Sequence, residues 1–265
     1  MRIGFLNDVH CGSAFAPWPE SGQLSVGGKH VPNIGQKYLN DHWYETAKEI
    51  PDLDILVFDG DVIDGDQWKS LGRHTVEVDH QYQSRAALEL LDPFLNKSRV
   101  RYVCEGTEYH DGKAGMWAEW LAREVGAVPK DQHICWDWLL LEIDGLKCDI
   151  AHAQSYMMRY RSTALEREMQ FSCMLGENAD LIARAHVHNY GMVQMPKPGG
   201  LQTAISLPAW QFDCHYIRTG KTPNRSIELM MGCVIVEILP RKRLLVNPGY
   251  LFEHPPLRRS VYVTA

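Results

Sequence analysis

Short apolar runs, each closing on a polar cluster, recur along the chain. Residues 2–6 form such a run and end at Asn7-Asp8-Val9-His10. Residues 54–58 are almost continuously apolar, as expected of a strand covered on both faces, and end at Asp59-Gly60-Asp61. Residues 99–104 lead into Glu105-Gly106-Thr107. The runs 138–143 and 147–151 flank Asp144-Gly145, a pair whose tolerance of positive φ predicts a two-residue hairpin; the second run stops at His152. Residues 180–184 stop at Ala185-His186-Val187-His188, and 233–239 with 243–246 predict another hairpin around Pro240-Arg241-Lys242.

Apolar residues at three- and four-residue spacing predict helices over 37–50, 78–95, 114–125 and 157–175. Strands alternating with helices, followed by hairpins, predict an α/β (α+β) chain with one mixed sheet or two packed sheets. Polar clusters at the carboxyl ends of strands are where ligand sites gather in such folds. The segment 11–36, rich in Gly, Pro and Ser, is expected to be a long surface loop, a lid or substrate wall. The 265 residues read as a single domain with a C-terminal hairpin and tail over 232–265.

Composition narrows the function little. Apolar residues make up 45% and charged residues 23%, an ordinary globular balance. The net charge of −6 argues against a non-specific nucleic-acid binder, which presents a basic face. It leaves nucleic-acid substrates open, because a metal site brings its own positive charge. Seven scattered cysteines without a CxxC pair read as reduced thiols. Met1 leads directly into the first strand and motif, with no room for a secretory leader, and no apolar run approaches the roughly 18–20 residues that span a bilayer. The expectation is a cytoplasmic protein without a membrane partner; the sequence gives no oligomeric state.

Five motifs stand at the predicted strand ends: Asp8-x-His10, Gly60-Asp61-x-x-Asp64, Gly106-Thr107-Glu108-Tyr109-His110, Ala151-His152 and His186-x-His188. On extended backbone, residues i and i+2 share a side, so each D-x-H or H-x-H pair is expected to grasp one ion. Glycines before Asp61 and Thr107 permit tight turns that aim side chains into a shared cleft. Carboxylate oxygen with imidazole nitrogen suits first-row divalent ions. Taken singly, each motif has a plainer explanation: a loop pair, a turn with Asp64 capping a helix, a strand-end histidine. Their joint order at successive strand ends is what points to chemistry.

That order resembles the calcineurin-like metallophosphoesterases, over about residues 3–190. The resemblance implies two mixed β-sheets packed as a sandwich flanked by helices. It implies hydrolysis of phosphomonoesters, phosphodiesters, cyclic nucleotides or nucleic acids. The Gly-Thr-x-x-His form of the third motif is similar to phosphoesterases of phages and prophages. Carried onto this chain, the resemblance implies that Asp8, His10 and His188 bind one ion, that Asp61 bridges, and that His152 and His186 bind the second. The cofactors would be two divalent ions drawn from Mn, Fe, Zn, Ni and Co. The family's third motif reads Gly-Asn-His-Asp or Gly-Asn-His-Glu, its Asn a metal ligand and its His a general acid. Here Thr107 stands at the Asn position and Glu108 at the His position, and the nearby histidine is His110. Thr107 offers a hydroxyl to the second ion, a poorer ligand than an amide oxygen, which leaves Glu108 or His110 to complete the shell. His110 is preferred as the acid or phosphate contact, against a plainer role capping a turn, with Glu108 as the other catalytic candidate.

Two cations about 3.5–4 Å apart would clamp the attacking and leaving oxygens of an in-line displacement by a shared hydroxide. Asp64 and Asp59 are placed to orient the ligands. Arg159 and Trp18 are candidate substrate contacts, for a phosphate and a nucleobase respectively, although Arg159, Arg161 and Arg167 also fit a solvated helix face and Trp18 a loop anchor. Trp117, Trp120, Trp136 and Trp138 read as core. The leading expectation is a phosphodiesterase acting on nucleotides or nucleic acid such as DNA. A phosphomonoesterase, or a non-catalytic scaffold of the kind represented by the retromer subunit of this fold, stands against it. The altered third motif is the feature that favours the scaffold.

Overall fold

A computed structural model describes residues 1–66, 72, 74–152, 161–212, 230–240 and 243–253. In chain order the elements are β1 (Arg2–Leu6), α1 (Ile34–Glu49), β2 (Leu53–Asp59), α2 (His80–Leu95), β3 (Ser98–Cys104), the one-turn α3 (Glu108–Asp111) and α4 (Met116–Glu124). There follow β4 (Leu139–Ile143), β5 (Leu146–Ala151), α5 (Arg161–Met174), β6 (Leu181–Arg184), β7 (Gly191–Lys197) and β8 (Gly200–Ser206). The described chain closes with β9 (Met230–Gly232), β10 (Val234–Leu239), β11 (Arg243–Asn247) and β12 (Leu251–Glu253).

Two five-stranded mixed sheets result, ordered β11-β10-β1-β2-β3 and β4-β5-β6-β8-β7. In the first, β1, β2 and β3 run parallel; in the second, β5, β6 and β8 do. Side-chain alternation sorts the strands' two faces. Ile3, Phe5, Ile55 and Val57 of the first sheet pack with Leu139, Leu146, Cys148, Ile150, Leu181 and Ile205 of the second, which makes the two a sandwich. The opposite face of the first sheet carries Leu6, Leu56 and Phe58, covered by Trp43 and Ala47 of α1, Leu90 and Phe94 of α2, and Leu121 of α4. Leu165 and Met169 of α5 cover Ile182 and Ala204 of the second sheet. Helices therefore flank a two-sheet core, and the carboxyl ends of β1, β2, β3, β5 and β6 carry all five motifs.

Local sequence explains the boundaries. Asn33 and Gln36 form a reciprocal capping box that starts α1. Asp79 caps α2 by accepting from the Gln81 and Tyr82 amides, which moves its start two residues past the expected 78. Asp144 and Gly145 both take positive φ, as the tight hairpin requires. The pair β7 and β8 was not expected, because Pro196, Pro198, Gly199 and Gly200 give that stretch a loop-like composition. Pro196 is tolerated because, among the described residues, β7 is an edge strand that pairs with β8 alone.

The segment 11–36 departs from expectation. Buried Asn40 both accepts from the Trp18 amide (3.2 Å) and donates to its carbonyl (2.7 Å), and buried Gln36 reaches the carbonyls of Ser13 and Ala16. Glu77 accepts from the Ser25 amide and hydroxyl at 2.6 and 2.8 Å. Side chains of the body thus hold the segment down at several points, and Trp18 is fully buried in the core. Among the described residues, no helix is long and apolar enough to cross a membrane.

Candidate metal centre

Five of the motif residues share an uncommon backbone geometry. Asp8, His10, Asp61, His186 and His188 all have φ between 47° and 66°, the left-handed region that L-residues other than Gly, Asn and Asp seldom occupy. Each such residue costs on the order of 1–3 kcal/mol and persists only where its surroundings enforce it, typically at functional sites. The extended backbone expected for the D-x-H and H-x-H pairs is therefore corrected. The paired side chains converge because both members of each pair turn through left-handed geometry. The turns are held by Asp8 N donating to Gly60 O, His10 N to Asp61 O and Trp210 N to Asp8 O, each at 3.1 Å.

Glycine is required where the walls meet. A Cβ at Gly60 would lie 2.3 Å from His152 Nδ1, and one at Gly106 would lie 2.2 Å from Asp61 Oδ1. Only hydrogen at these two positions lets β2, β3 and β5 bring their ends into one cleft.

The cleft gathers Asp8, His10, Asp61, His110, His152, His186 and His188. His10 Nε2 and His188 Nε2 are 3.0 Å apart, and His188 Nε2 is 3.2 Å from Asp8 Oδ1. His152 Nε2 lies 3.0 Å from Asp61 Oδ2 and 3.8 Å from Asp8 Oδ1. His186 Nδ1 and His110 Nε2 each stand 3.9 Å from Asp61 Oδ2. Among the described residues, buried Asp8 Oδ1 and His152 Nε2 make no well-formed hydrogen bond, and both face the cleft. Among the described residues, three sets of ligating atoms lie within 4.8 Å of one another and could hold a cation: Asp8, His10 and His188; His10, Asp61 and His110; and Asp61, His152 and His186. The donor set and the orphaned atoms fit divalent metal ions. His186, with 42% of its side chain exposed, marks the open side of the cleft.

Neighbouring groups orient the cluster. Asn7 Nδ2 donates to Asp8 Oδ2 and to Pro208 O at 2.7 Å each, and the His186 amide donates to the same Asp8 oxygen. The Thr107 amide and hydroxyl both donate to Asp61 Oδ1, at 2.7 and 3.1 Å. His152 Nδ1 meets the Asp59 carbonyl at 2.6 Å, and His110 Nδ1 the Asp64 carbonyl at 2.6 Å. A carbonyl only accepts, so both Nδ1 atoms carry hydrogen and both Nε2 atoms are left toward the cleft.

The electrostatics follow from burial and close pairing. Burial pushes against ionisation of Asp8 and Asp61, but the adjacent imidazoles (His188 and His152 at Asp8, His152 and His110 at Asp61) hold both carboxyls below the usual range. Burial disfavours a charged His152 or His188, but the facing carboxylates prevail and raise both. Burial and the neighbouring His110 lower His10 to about 3. Burial, reinforced by Asp61, raises Asp111 to about 7, and burial raises Asp59 to about 7.

Several expectations meet the structure unevenly. Asp8, His10, Asp61, His152, His186 and His188 are brought together. Thr107 is present, but its hydroxyl is engaged by Asp61. Glu108 is exposed at the start of α3 and stands apart from the cluster. Asp59 meets His152 through its backbone carbonyl, and its buried carboxylate, beside Cys104, also acts electrostatically on His152. Asp64 reaches His110 through its carbonyl and stands 3.8 Å from His10 Nδ1 through its carboxylate. Trp18 is corrected: with 0% exposure it cannot stack a base. Trp138 is corrected too, being 43% exposed. Arg159 lies outside the described residues. Sequence reasoning passed over Asn7 and Asp111. Asn7 adjoins the first motif, and Asp111 follows His110 and accepts from the Gly106 amide at 2.5 Å.

No protein-family model and no curated protein matches the chain. Similar solved structures include Vps29 complexed with zinc from Entamoeba histolytica, at 10% identity over 96% of this chain and 97% of that one, with a TM-score of 0.45. A predicted phosphoesterase from Streptococcus pneumoniae matches at 13% identity over 96% of this chain and 97% of that one, with a TM-score of 0.39. Vps29 from Cryptosporidium parvum matches at 11% identity over the same shares, with a TM-score of 0.36.

Proposed function

We propose that this chain is a calcineurin-like, metal-dependent phosphoesterase, with phosphodiesters of nucleotides or nucleic acid as its substrate class. The observation that carries the reading is the pair of non-overlapping ligand sets, Asp8–His10–His188 and Asp61–His152–His186, side by side in one cleft. Asp8, His10 and His188 would hold one cation and His152 and His186 the other, with Asp61 shared. Bound there, two cations supply the Lewis acidity that activates water and offsets charge on phosphoryl oxygens.

The chain's own groups make the cleft ready for that role. Thr107 fixes the Asp61 carboxylate through two donors, Asn7 fixes Asp8, and the Asp59 carbonyl fixes the His152 tautomer. Backbone hydrogen bonds hold the turns at Asp8, His10 and Asp61, which orients these ligands before any ion arrives. The exposed edge at His186 admits a phosphate ester from solvent.

The test is hydrolysis of bis-p-nitrophenyl phosphate with Mn²⁺, Ni²⁺ or Zn²⁺, followed by nucleotides, cyclic nucleotides and DNA. Asp61→Asn and His186→Ala should each abolish metal-dependent turnover. Near-normal turnover in both variants would refute the reading, and activity confined to monoesters would correct the substrate class.

A further inference from the structure

We propose that His110 is a metal ligand, adding an imidazole on the His10 side of Asp61, and that Thr107 serves instead to hold Asp61 in place. The inference rests on the metal reading above and deepens it.

Helical spacing puts His110 there. Thr107 is the N-cap of α3 but makes no side-chain capping bond; its hydroxyl goes to Asp61. Residues three and four positions on share its side of the helix, which brings His110 and Asp111 to the cleft and leaves Glu108 exposed. Gly65 admits this turn of helix: a Cβ there would lie 2.6 Å from His110 Cα and 2.5 Å from its carbonyl oxygen.

The orientation of His110 repeats that of His152 on the other side of Asp61. Each ring donates from Nδ1 to a main-chain carbonyl at the end of β2 or just beyond it, at 2.6 Å in both cases. Each then presents Nε2 toward Asp61 Oδ2, at 3.9 Å for His110 and 3.0 Å for His152. A backbone carbonyl on one ring nitrogen with a free lone pair on the other is the usual arrangement of a metal-binding histidine. The His110 and His10 rings meet edge to face with centroids 4.4 Å apart, and His10, Asp61 and His110 form one of the three sets of mutually close ligating atoms. A histidine that merely capped a turn would not need its second nitrogen among these groups.

Metal-depleted protein titrated with Co²⁺, followed by calorimetry and by the visible ligand-field spectrum, separates the possibilities. Wild type should bind two equivalents. His110→Ala should bind one of them roughly tenfold or more weakly, with a changed spectrum. His110→Asn, which keeps an amide oxygen, should fall between the two. Circular dichroism checks that each variant is folded, and if the Ala variant is not, the Asn variant decides. Wild-type stoichiometry, affinity and spectrum in a folded His110 variant would overturn the ligand role, even with a slower rate on bis-p-nitrophenyl phosphate. Absence of Co²⁺ binding by wild type would overturn the metal reading itself.

Discussion

Two buried clusters of charge lie two residues apart on and just beyond β6, and they are built on opposite plans. Around Arg184, a cation meets carboxylates: Asp149 at 2.7 Å, Glu168 at 3.0 Å, and the Asp149 and Ala183 carbonyls at 3.0 and 2.9 Å. Trp138 covers the guanidinium, its ring centroid 5.0 Å away. Around His186, histidines meet carboxylates: His152 Nε2 lies 3.0 Å from Asp61 Oδ2 and His188 Nε2 3.2 Å from Asp8 Oδ1, and the carboxylates raise both imidazoles. The first cluster brings its own counter-charge and is architecture. The second balances its carboxylates with imidazole protons, which on the proposed reading a metal cation displaces.

Breaking the closed cluster should have the largest effect on folding. Arg184→Ala strands two buried carboxylates, and urea denaturation should show a loss of about 3–5 kcal/mol. Trp18→Ala removes a core side chain and should cost about 3–5 kcal/mol with turnover per folded molecule unchanged. A loss confined to KM for nucleotide substrates would return Trp18 to the substrate site. Removing metal with a chelator probes the open cluster: with ions at 100 times their Kd, apo protein should be about 2.7 kcal/mol less stable per site. A denaturation midpoint unmoved by chelation would contradict this.

pH separates the clusters further. In metal-free protein His152 and His188 are raised above their ordinary 6.5, so their stabilisation is fully present below that value and fades as pH rises through the folded values. Asp8 and Asp61 are lowered, so theirs is present above about 3.8 and is lost as pH falls through the folded values. A cation must displace the histidine protons, so its affinity should increase as pH rises above 6.5, with proton release in calorimetry. An affinity flat with pH would oppose that account. The smallest effect belongs to Glu108→Ala: the side chain is exposed and apart from the cluster, so kcat/KM should change by less than about twofold.

Much of this was legible in the residues. The runs at β1, β2 and β6 are largely buried because sheets and helices cover their faces, and each leads into a candidate ligand, so fold and site could be read together. What escaped depended on partners distant in sequence. Trp18 is buried because Asn40, 22 residues away, satisfies its backbone on both sides. His110 turns inward because four residues form a helix, too short for periodicity to reveal. The left-handed backbone of Asp8 and His10 is not visible in a short motif, because main-chain hydrogen bonds to Gly60, Asp61 and Trp210, distant in sequence, hold it.

The most direct measurement is an anomalous difference map from crystals grown with Mn²⁺. Two peaks about 3.5–4 Å apart, flanking the Asp61 carboxylate, are the predicted result. A map with no peak among Asp8, His10, Asp61, His152, His186 and His188 would contradict the account.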